Sequence, residues 1–380
     1  MAVYNPKTDL QILVDTGTTT FTLQADSYDI SIDRGVSVEK GVIAKAKPGK
    51  ATIQLMKSDL TDLMSSPPYK ANQLITISAQ SITVFSGLIQ NVTIRYVAET
   101  KQIAVIIEAE DLVAKFMNTN LASFSLTGTL SNREYKKCMD AIHSAANTLD
   151  SRLSMTQLGT GASGSNQRAN TWISTQIGEI LDRFVTGELG WVTSQRDSTN
   201  LYYYTRADID SKQATTWSST RRTVSNIHST STNHVCMNDI EMVYDCDGLA
   251  NVVTAIDEDS GGTVKSTVTN SSSVTAYGRS AGNYEINIDN STGALLTYGG
   301  WATAVANAAN PKNIKSVSCP GVRRDGELSS IIQADNGDIQ QVEFAATGFT
   351  TLQEIYLITN VRHSITPDHW EVTLDLWRGI

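Results

Sequence analysis

The chain has 380 residues, 40% hydrophobic and 18% charged, which is length and apolar content enough for two or three domains with real cores. A formal net charge of −9 argues against nucleic-acid binding through phosphate neutralisation as the main activity. The short basic pairs Arg221-Arg222 and Arg323-Arg324, and the lysines from Lys45 to Lys50, are too brief to overturn that.

The four cysteines, Cys138, Cys236, Cys246 and Cys319, lack Cys-x-x-Cys spacing and a histidine at zinc-finger distance, so reduced thiols are expected and no metal. The opening Met-Ala-Val-Tyr-Asn-Pro carries neither a basic region nor an apolar stretch, so no secretory signal is expected. No run of about 18 apolar residues suggests a transmembrane helix. Without a secretory route the sequons at Asn91, Asn270 and Asn290 carry no meaning.

Residues 1–117 are dominated by period-two alternation, which gives strands with one buried face. Strands are predicted over 30–38, 47–55, 74–77, 84–90 and 103–107, with a turn at Ser58-Asp59-Leu60 and a Ser-Ser-Pro-Pro break between the second and third. The alternating residues are Ile53 and Leu55, then Val92, Ile94 and Tyr96, then Ile103, Val105 and Ile107, and their close spacing predicts a barrel or sandwich. From Glu110 to Met117 the period turns helical, with Leu112, Val113 and Phe116 on one face.

The region 118–230 reads as a helix-containing insert. Ser131 and Glu134 have the spacing of a capping box, and Tyr135, Met139, Ile142, Ala146 and Leu149 form a helical stripe behind them. The Gly/Ser-rich stretch 159–168 predicts a mobile loop. A second helix is expected with Trp172, Ile173, Ile177, Ile180, Leu181 and Phe184 on its apolar face, stopping at Gly187 and Gly190. Trp191 and residues 201–205 read as strands.

Residues 231–380 return to strands at 240–244, 249–256 and 274–277, with one helix over 294–308 closed by Asn310-Pro311. The end is a hairpin, 354–365 and 370–377, about Thr366-Pro367-Asp368-His369. Trp370, Val372, Leu374 and Leu376 should face a core, and Glu371, Thr373 and Asp375 should face water. The fold class is therefore α+β and mainly β, with two barrel-like tube domains (1–117 and 231–380, the second with one helix) separated by the insert.

No catalytic, cofactor-binding or metal-binding residue is assigned. Asp15-Thr16-Gly17 after an apolar run has the look of an aspartic-protease loop, but that chemistry needs two carboxylates sharing a proton and the chain has no second such loop. A strand end before Phe21-Thr22-Leu23 explains it better. Asp245-Cys246-Asp247-Gly248 and Asp257-Glu258-Asp259-Ser260-Gly261 look like pieces of calcium loops without the closing bidentate Glu, and read as acidic turns. The histidines at 143, 228, 234, 363 and 369 form no helical His-x-x-x-His pair, and no Gly-x-Ser-x-Gly elbow or phosphate-binding Gly loop is present.

Four segments carry a resemblance when taken in order: Arg34-Gly35, then Pro48-Gly49 with Thr52-Ile53-Gln54-Leu55, then Phe85-Ser86-Gly87-Leu88-Ile89, then Asp111-Leu112. The final hairpin, with Val361, His363, Ile365, Trp370, Leu374 and Leu376, adds to them, as do 249–253 and 273–279. This order resembles the tail-tip, or baseplate hub, proteins of tailed bacteriophages, while the insert gives no comparable match. The resemblance implies a structural virion protein without enzymatic activity or cofactor. It implies a homotrimeric ring in which two barrels per chain make six positions under a sixfold tail tube, with a central fibre or spike below. The implied partners are the tube or distal tail ring, the fibre or spike and the tape-measure protein, with DNA only in transit, no membrane insertion by this chain, and assembly in the host cytoplasm. A receptor- or glycan-binding tail protein is the alternative, with Trp172, Trp191, Trp217 and Tyr202 to Tyr204 lining a groove.

Overall fold

The computed structural model describes residues 3–15, 20–23, 27–39, 43–57, 70–197, 200–227, 233–244, 249–308, 312–346 and 351–378. In chain order come β1 (Leu10–Asp15), β2 (Thr20–Leu23), β3 (Ser27–Glu39), β4 (Ile43–Lys57), β5 (Leu74–Ala79), β6 (Ile82–Val97), β7 (Gln102–Glu110) and α1 (Leu112–Asn118). Next are β8 (Asn120–Leu126), α2 (Tyr135–Leu149), β9 (Met155–Gln157), β10 (Asn170–Gln176), α3 (Ile177–Glu188), β11 (Trp191–Ser194), β12 (Leu201–Tyr204) and α4 (Arg206–Gln213). The last third holds β13 (Thr223–Ser225), β14 (His234–Cys236), β15 (Asp239–Tyr244), β16 (Val252–Asp257), β17 (Thr263–Thr269), α5 (Ser271–Tyr277) and β18 (Ala281–Ile286). It ends with α6 (Tyr298–Ala308), β19 (Lys312–Pro320), β20 (Ile339–Phe344), β21 (Leu352–Ile365) and β22 (Trp370–Trp377).

One sheet of 14 strands unites the two ends of the chain. Its central wall runs β22-β21-β3-β4-β7-β6, every pair antiparallel. The registers make its faces explicit. One rung reads Val372–His363–Ile32–Ala51–Ala109–Ile89, and all six side chains are buried. The adjacent rung, Glu371–Ser364–Ser31–Thr52–Glu108–Asn91, is polar throughout. The next, Trp370–Ile365–Ile30–Ile53–Ile107–Val92, returns to the core. A slip of one residue at any pairing would turn a greasy rung to water, so the alternation itself fixes register.

The core behind this wall is a single hydrophobic cluster drawn from both terminal β-regions, from Ile12 to Leu376. The short strand β13 pairs in parallel with β14 and β20, while β19 pairs β15 and β22. The insert has its own cluster around Tyr135, Ile142, Ile177, Leu181 and Phe184, capped by Leu88, Leu112 and Phe116 from the first region. Residues 249–308 form a small β17-β16-β18 sheet covered by α6, with a cluster centred on Val253, Tyr284 and Trp301. This unit leaves and re-enters the large sheet between paired neighbours, because Tyr244 of β15 lies opposite Lys312 of β19.

Several expectations need correction. Ser131 sits in a 3-10 turn and bonds Thr129, and α2 starts at Tyr135 after Glu134 with no side-chain cap. The turn uses up the residues that the box required. Trp172 and Ile173 lie on β10, opposite Phe124 and Ser123 of β8, and only α3 from Ile177 onward is helical. The apolar stripe thus joined a strand face to a helix face. Helix α3 ends at Leu189 in the left-handed region (φ 57°), not at a glycine. Residues 274–277 belong to helix α5, because Asn270 accepts from Ser273 N–H and starts a helical turn. Helix α6 begins at Tyr298, four residues later than expected.

The expected turn at 58–60, the Pro-Pro break, Thr16 and Gly17, Asp245 to Gly248, Asn310-Pro311 and His228 lie outside the described residues.

Trp370 packs edge-on to Tyr4 at 5.7 Å and donates its Nε1–H to His363 Nδ1 at 3.2 Å, whereas Glu371 stands on the wet rung. Trp370→Ala is expected to cost about 3–5 kcal/mol in denaturant unfolding, and Glu371→Ala close to none. Equal losses would show the hairpin register to be wrong.

Candidate functional site

Two features stand out in the joined sheet: its wet face, and a buried charge cluster at the seam. The wet face carries Asp29, Asp33, Glu108, Glu110, Glu371 and Asp375 against Lys47, Lys50, Arg95 and Arg362. Three of these cations are spoken for: Lys47 binds Asp33 at 2.7 Å, Lys50 binds Glu110 at 3.2 Å, and Arg362 binds Asp375 at 2.5 Å. Acids outnumber bases and sit among them, so no basic stripe forms for a phosphate backbone to follow.

At the seam β3 meets β21 in unbroken register, while on its other side a bulge interrupts the pairing with β4 between Asp33 and Gly35. Arg34 points inward there and is only 1% exposed. Its Nη1 donates to Asp335 Oδ1 at 2.7 Å, and Asp335 also accepts from the backbone N–H of Arg196 at 3.0 Å. Arg196 in turn donates from Nη1 to Thr83 O at 2.8 Å. Asp111, the N-cap of α1, accepts from Val113 N–H at 3.0 Å and from the Ser194 hydroxyl. Burial pushes its carboxyl up to about 6, against those hydrogen bonds and the Arg34 charge.

Glycines make the room. A Cβ on Gly49 would lie 2.4 Å from Asp111 Oδ2 and 3.0 Å from Arg34 Cγ, and one on Gly35 would lie 2.2 Å from Asn360 Oδ1. Arg34-Gly35, Gly49 and Asp111, three of the segments that carried the resemblance, therefore converge on one point. His363 lines the same core. Burial, then the nearby charges of Arg34 and Arg196, hold it down at about 3.

The other candidates resolve into structure. Asp15 is exposed at the end of β1, opposite Thr20 and Leu74. Asp257 binds Arg168 at 2.6 Å and Lys265 at 3.4 Å, and Glu258 binds Arg183 at 2.7 Å, so this acidic turn docks the 249–308 unit onto the insert. Among the described residues no group of three or more His, Cys, Asp or Glu could hold a metal ion. Trp172 packs between Phe124 and Phe184, Trp191 packs against Tyr204 and Trp377, and Tyr203 packs against Tyr135. These rings are buried in cores, and Tyr202 and Trp217 are half-buried. His143 and His234 are half-buried, and exposed His369 lies 3.7 Å from Glu371.

Sequence reading missed the device that holds 159–168. Glu188, fully buried near the end of α3, accepts from Gly164 N–H at 2.8 Å, from the Ser165 hydroxyl at 2.8 Å and from Arg206 N–H at 3.3 Å. Burial pushes its carboxyl up to about 7. Asp208 accepts from Gly161 N–H at 2.6 Å and closes a capping box with Thr205. The stretch expected to be mobile is thus pinned by two carboxylates. The Thr205-x-x-Asp208 spacing was the legible signal; nothing local marks Glu188.

No protein-family model matches the chain, and no curated protein matches it by sequence. Solved structures do. The 43 kDa tail protein of prophage MuSo2 from Shewanella oneidensis is similar with a TM-score of 0.57 at 15% identity, over 97% of this chain and 98% of that one. A tail protein from Neisseria meningitidis MC58 gives 0.59 at 11% identity, over 97% and 96%. A component of the E. coli type VI secretion system, described as structurally similar to the T4 phage tail proteins gp27 and gp5, gives 0.53 at 10% identity over 97% and 78%. At these identities the likeness is one of fold. The chain has the fold of phage tail proteins, α+β and mainly β.

A histidine held neutral contributes stability that is complete above its ordinary value of 6.5 and is lost as pH falls toward 3. The native chain should therefore lose roughly 1.4 kcal/mol per pH unit across that window from this group. In a His363→Gln variant the loss between pH 6.5 and 4 should be visibly smaller by denaturant midpoint. Parallel pH curves for the two proteins would remove His363 from the account.

Proposed function

We propose that this protein is the hub at the distal end of a phage tail, joining the tail tube to the tip fibre or spike and lining the channel through which DNA passes. The observation that carries this reading is the six-stranded wall. The first and last β-regions are joined into one sheet with a continuous wet face, and three motif segments of the hub resemblance meet at its seam. Likeness of fold to phage tail proteins over 97% of the chain supports it.

In this reading residues 1–117 and 231–380 act as paired tube-like units and 118–230 as an insert. Three chains close a ring with six similar positions under the tube, covering strand edges that a lone chain leaves open. The partners are the tube or distal tail ring, the fibre or spike, and the tape-measure protein. The chain works as a virion component assembled in the host cytoplasm, without a reaction of its own. The receptor-binding alternative has less support, because Trp172, Trp191, Tyr203 and Tyr204 are buried and only Trp217 and Tyr202 are half-buried.

Mass measurement on assembled tails is expected to give three copies, and a count of one or six would overturn the ring. The wet face and the net charge of −9 predict no retention of duplex DNA at physiological salt. A gel shift that weakens steeply with added salt would reveal a basic surface and defeat the passive channel.

A further inference from the structure

Among the described residues no strand pairs with β14 on the side away from β13. Thr223 N–H donates to Asn233 O at 2.9 Å and Met237 N–H donates to Ser225 O at 3.0 Å, so residues 233, 235 and 237 face β13. In a parallel ladder the alternate residues turn their backbone groups the other way. His234 and Cys236 therefore present N–H and C=O on the side away from β13. The next residue of that set, Asn238, shows what lies there, since its N–H donates to Ser318 O of β19 at 2.7 Å.

The ladder cannot continue upstream. Strand β19 ends at Pro320, which has no N–H to give, and the N–H of Gly321 serves the opposite side of the strand, donating to Trp370 O of β22 at 2.8 Å. What remains is a groove of about 540 Å3 between β14 and the 320–325 segment. Apolar Val235 and Val322 lie along it, and its rim is basic. Arg323 is held by Asp325 at 3.0 Å, but Arg324 is exposed and makes no ion pair among the described residues. The Nδ1 of His234, also at the groove, is buried without a hydrogen-bond partner.

We propose that this groove takes an extended, acidic segment of a partner protein as an added strand. The backbone groups of His234 and Cys236 pair with it, an apolar side chain enters toward Val235 and Val322, and a carboxylate on the alternate position meets Arg324. Strand addition draws affinity from the main chain and selectivity from alternate side chains, and here the free cation selects for acid. The inference is independent of the hub reading and can fail without it.

The test uses the full chain with Cys246→Ser, titrated to millimolar concentration with an octapeptide of alternating Glu and Val, and with a Lys-Val counterpart. Residue-resolved hydrogen exchange should show at least tenfold added protection at the amides of His234 and Cys236 with the acidic peptide, little change at Val235, and none with the basic one. Maleimide labelling of exposed Cys236 should slow in step. Arg324→Glu, a surface change, should reverse the peptide preference while leaving the melting temperature unchanged. Three results would each overturn the proposal. Full protection of both amides without peptide at every concentration would mean the chain fills its own groove. Protection rising with the chain's own concentration would mean a second copy fills it. Equal response to both peptides would remove the role of charge.

Discussion

A guanidinium that cannot reach water governs how this chain is put together. Arg34 sits in the middle of a β-strand with its charge turned into the core, and burying an ion costs several kcal/mol unless partners surround it. The compensating charges come from far along the chain, Asp335 from the last third and Asp111 from the cap of the first helix, while Arg196, a second cation from residues 118–230, shares Asp335 through its backbone N–H. Removing one partner of such a pair typically costs about 3–5 kcal/mol, because the other charge is left stranded. The seam of the sheet, the first helix and the insert are thereby coupled through one buried cluster. Gly49 belongs to the same constraint, since a larger side chain would occupy space Asp111 and Arg34 need, and Gly35 lets β21 approach at Thr359 and Asn360.

The wall built on that seam separates two tasks by a period of two. Its inner rungs are mostly Ile, Val, Leu, Ala and Trp, with His363 among them, and its outer rungs are mostly Ser, Thr, Asn, Lys, Arg, Asp and Glu. Outward cations are mostly answered by outward acids on neighbouring strands, so local charge is nearly cancelled even though the chain as a whole is acidic. A surface of that kind offers a passing polyanion no sustained attraction.

Much of the β-structure was legible because alternation is a local signal: β3, β4, β7 and the final hairpin were visible as strings of residues. The pairing of β3 with β21 was not, because nothing near Asp33 indicates that Asn360 will donate to its carboxylate. The same limit hid Glu188 and the Arg34–Asp335 pair, whose partners are set by tertiary packing. The errors in the insert have local causes. Trp172 and Ile173 run into Ile177 with no break, so a strand and a helix share one apolar string. The Gly/Ser stretch 159–168 looked loose because the carboxylates that fix it lie 20 to 50 positions downstream, roughly one helix and one strand away.

The seam also sets an order in time. Asp33 and Asn360, joined across it, stand 327 residues apart. During synthesis at roughly 5–20 residues per second, β3 waits tens of seconds before its second neighbour exists. Throughout that interval β3 is paired on its β4 side only, and Arg34 lacks Asp335 for most of it. A truncated chain that stops before β21 would keep an open, β-branched strand edge on β3, a feature of a chaperone or protease client. Pairing of β21 with β3 is thus the event that closes the seam.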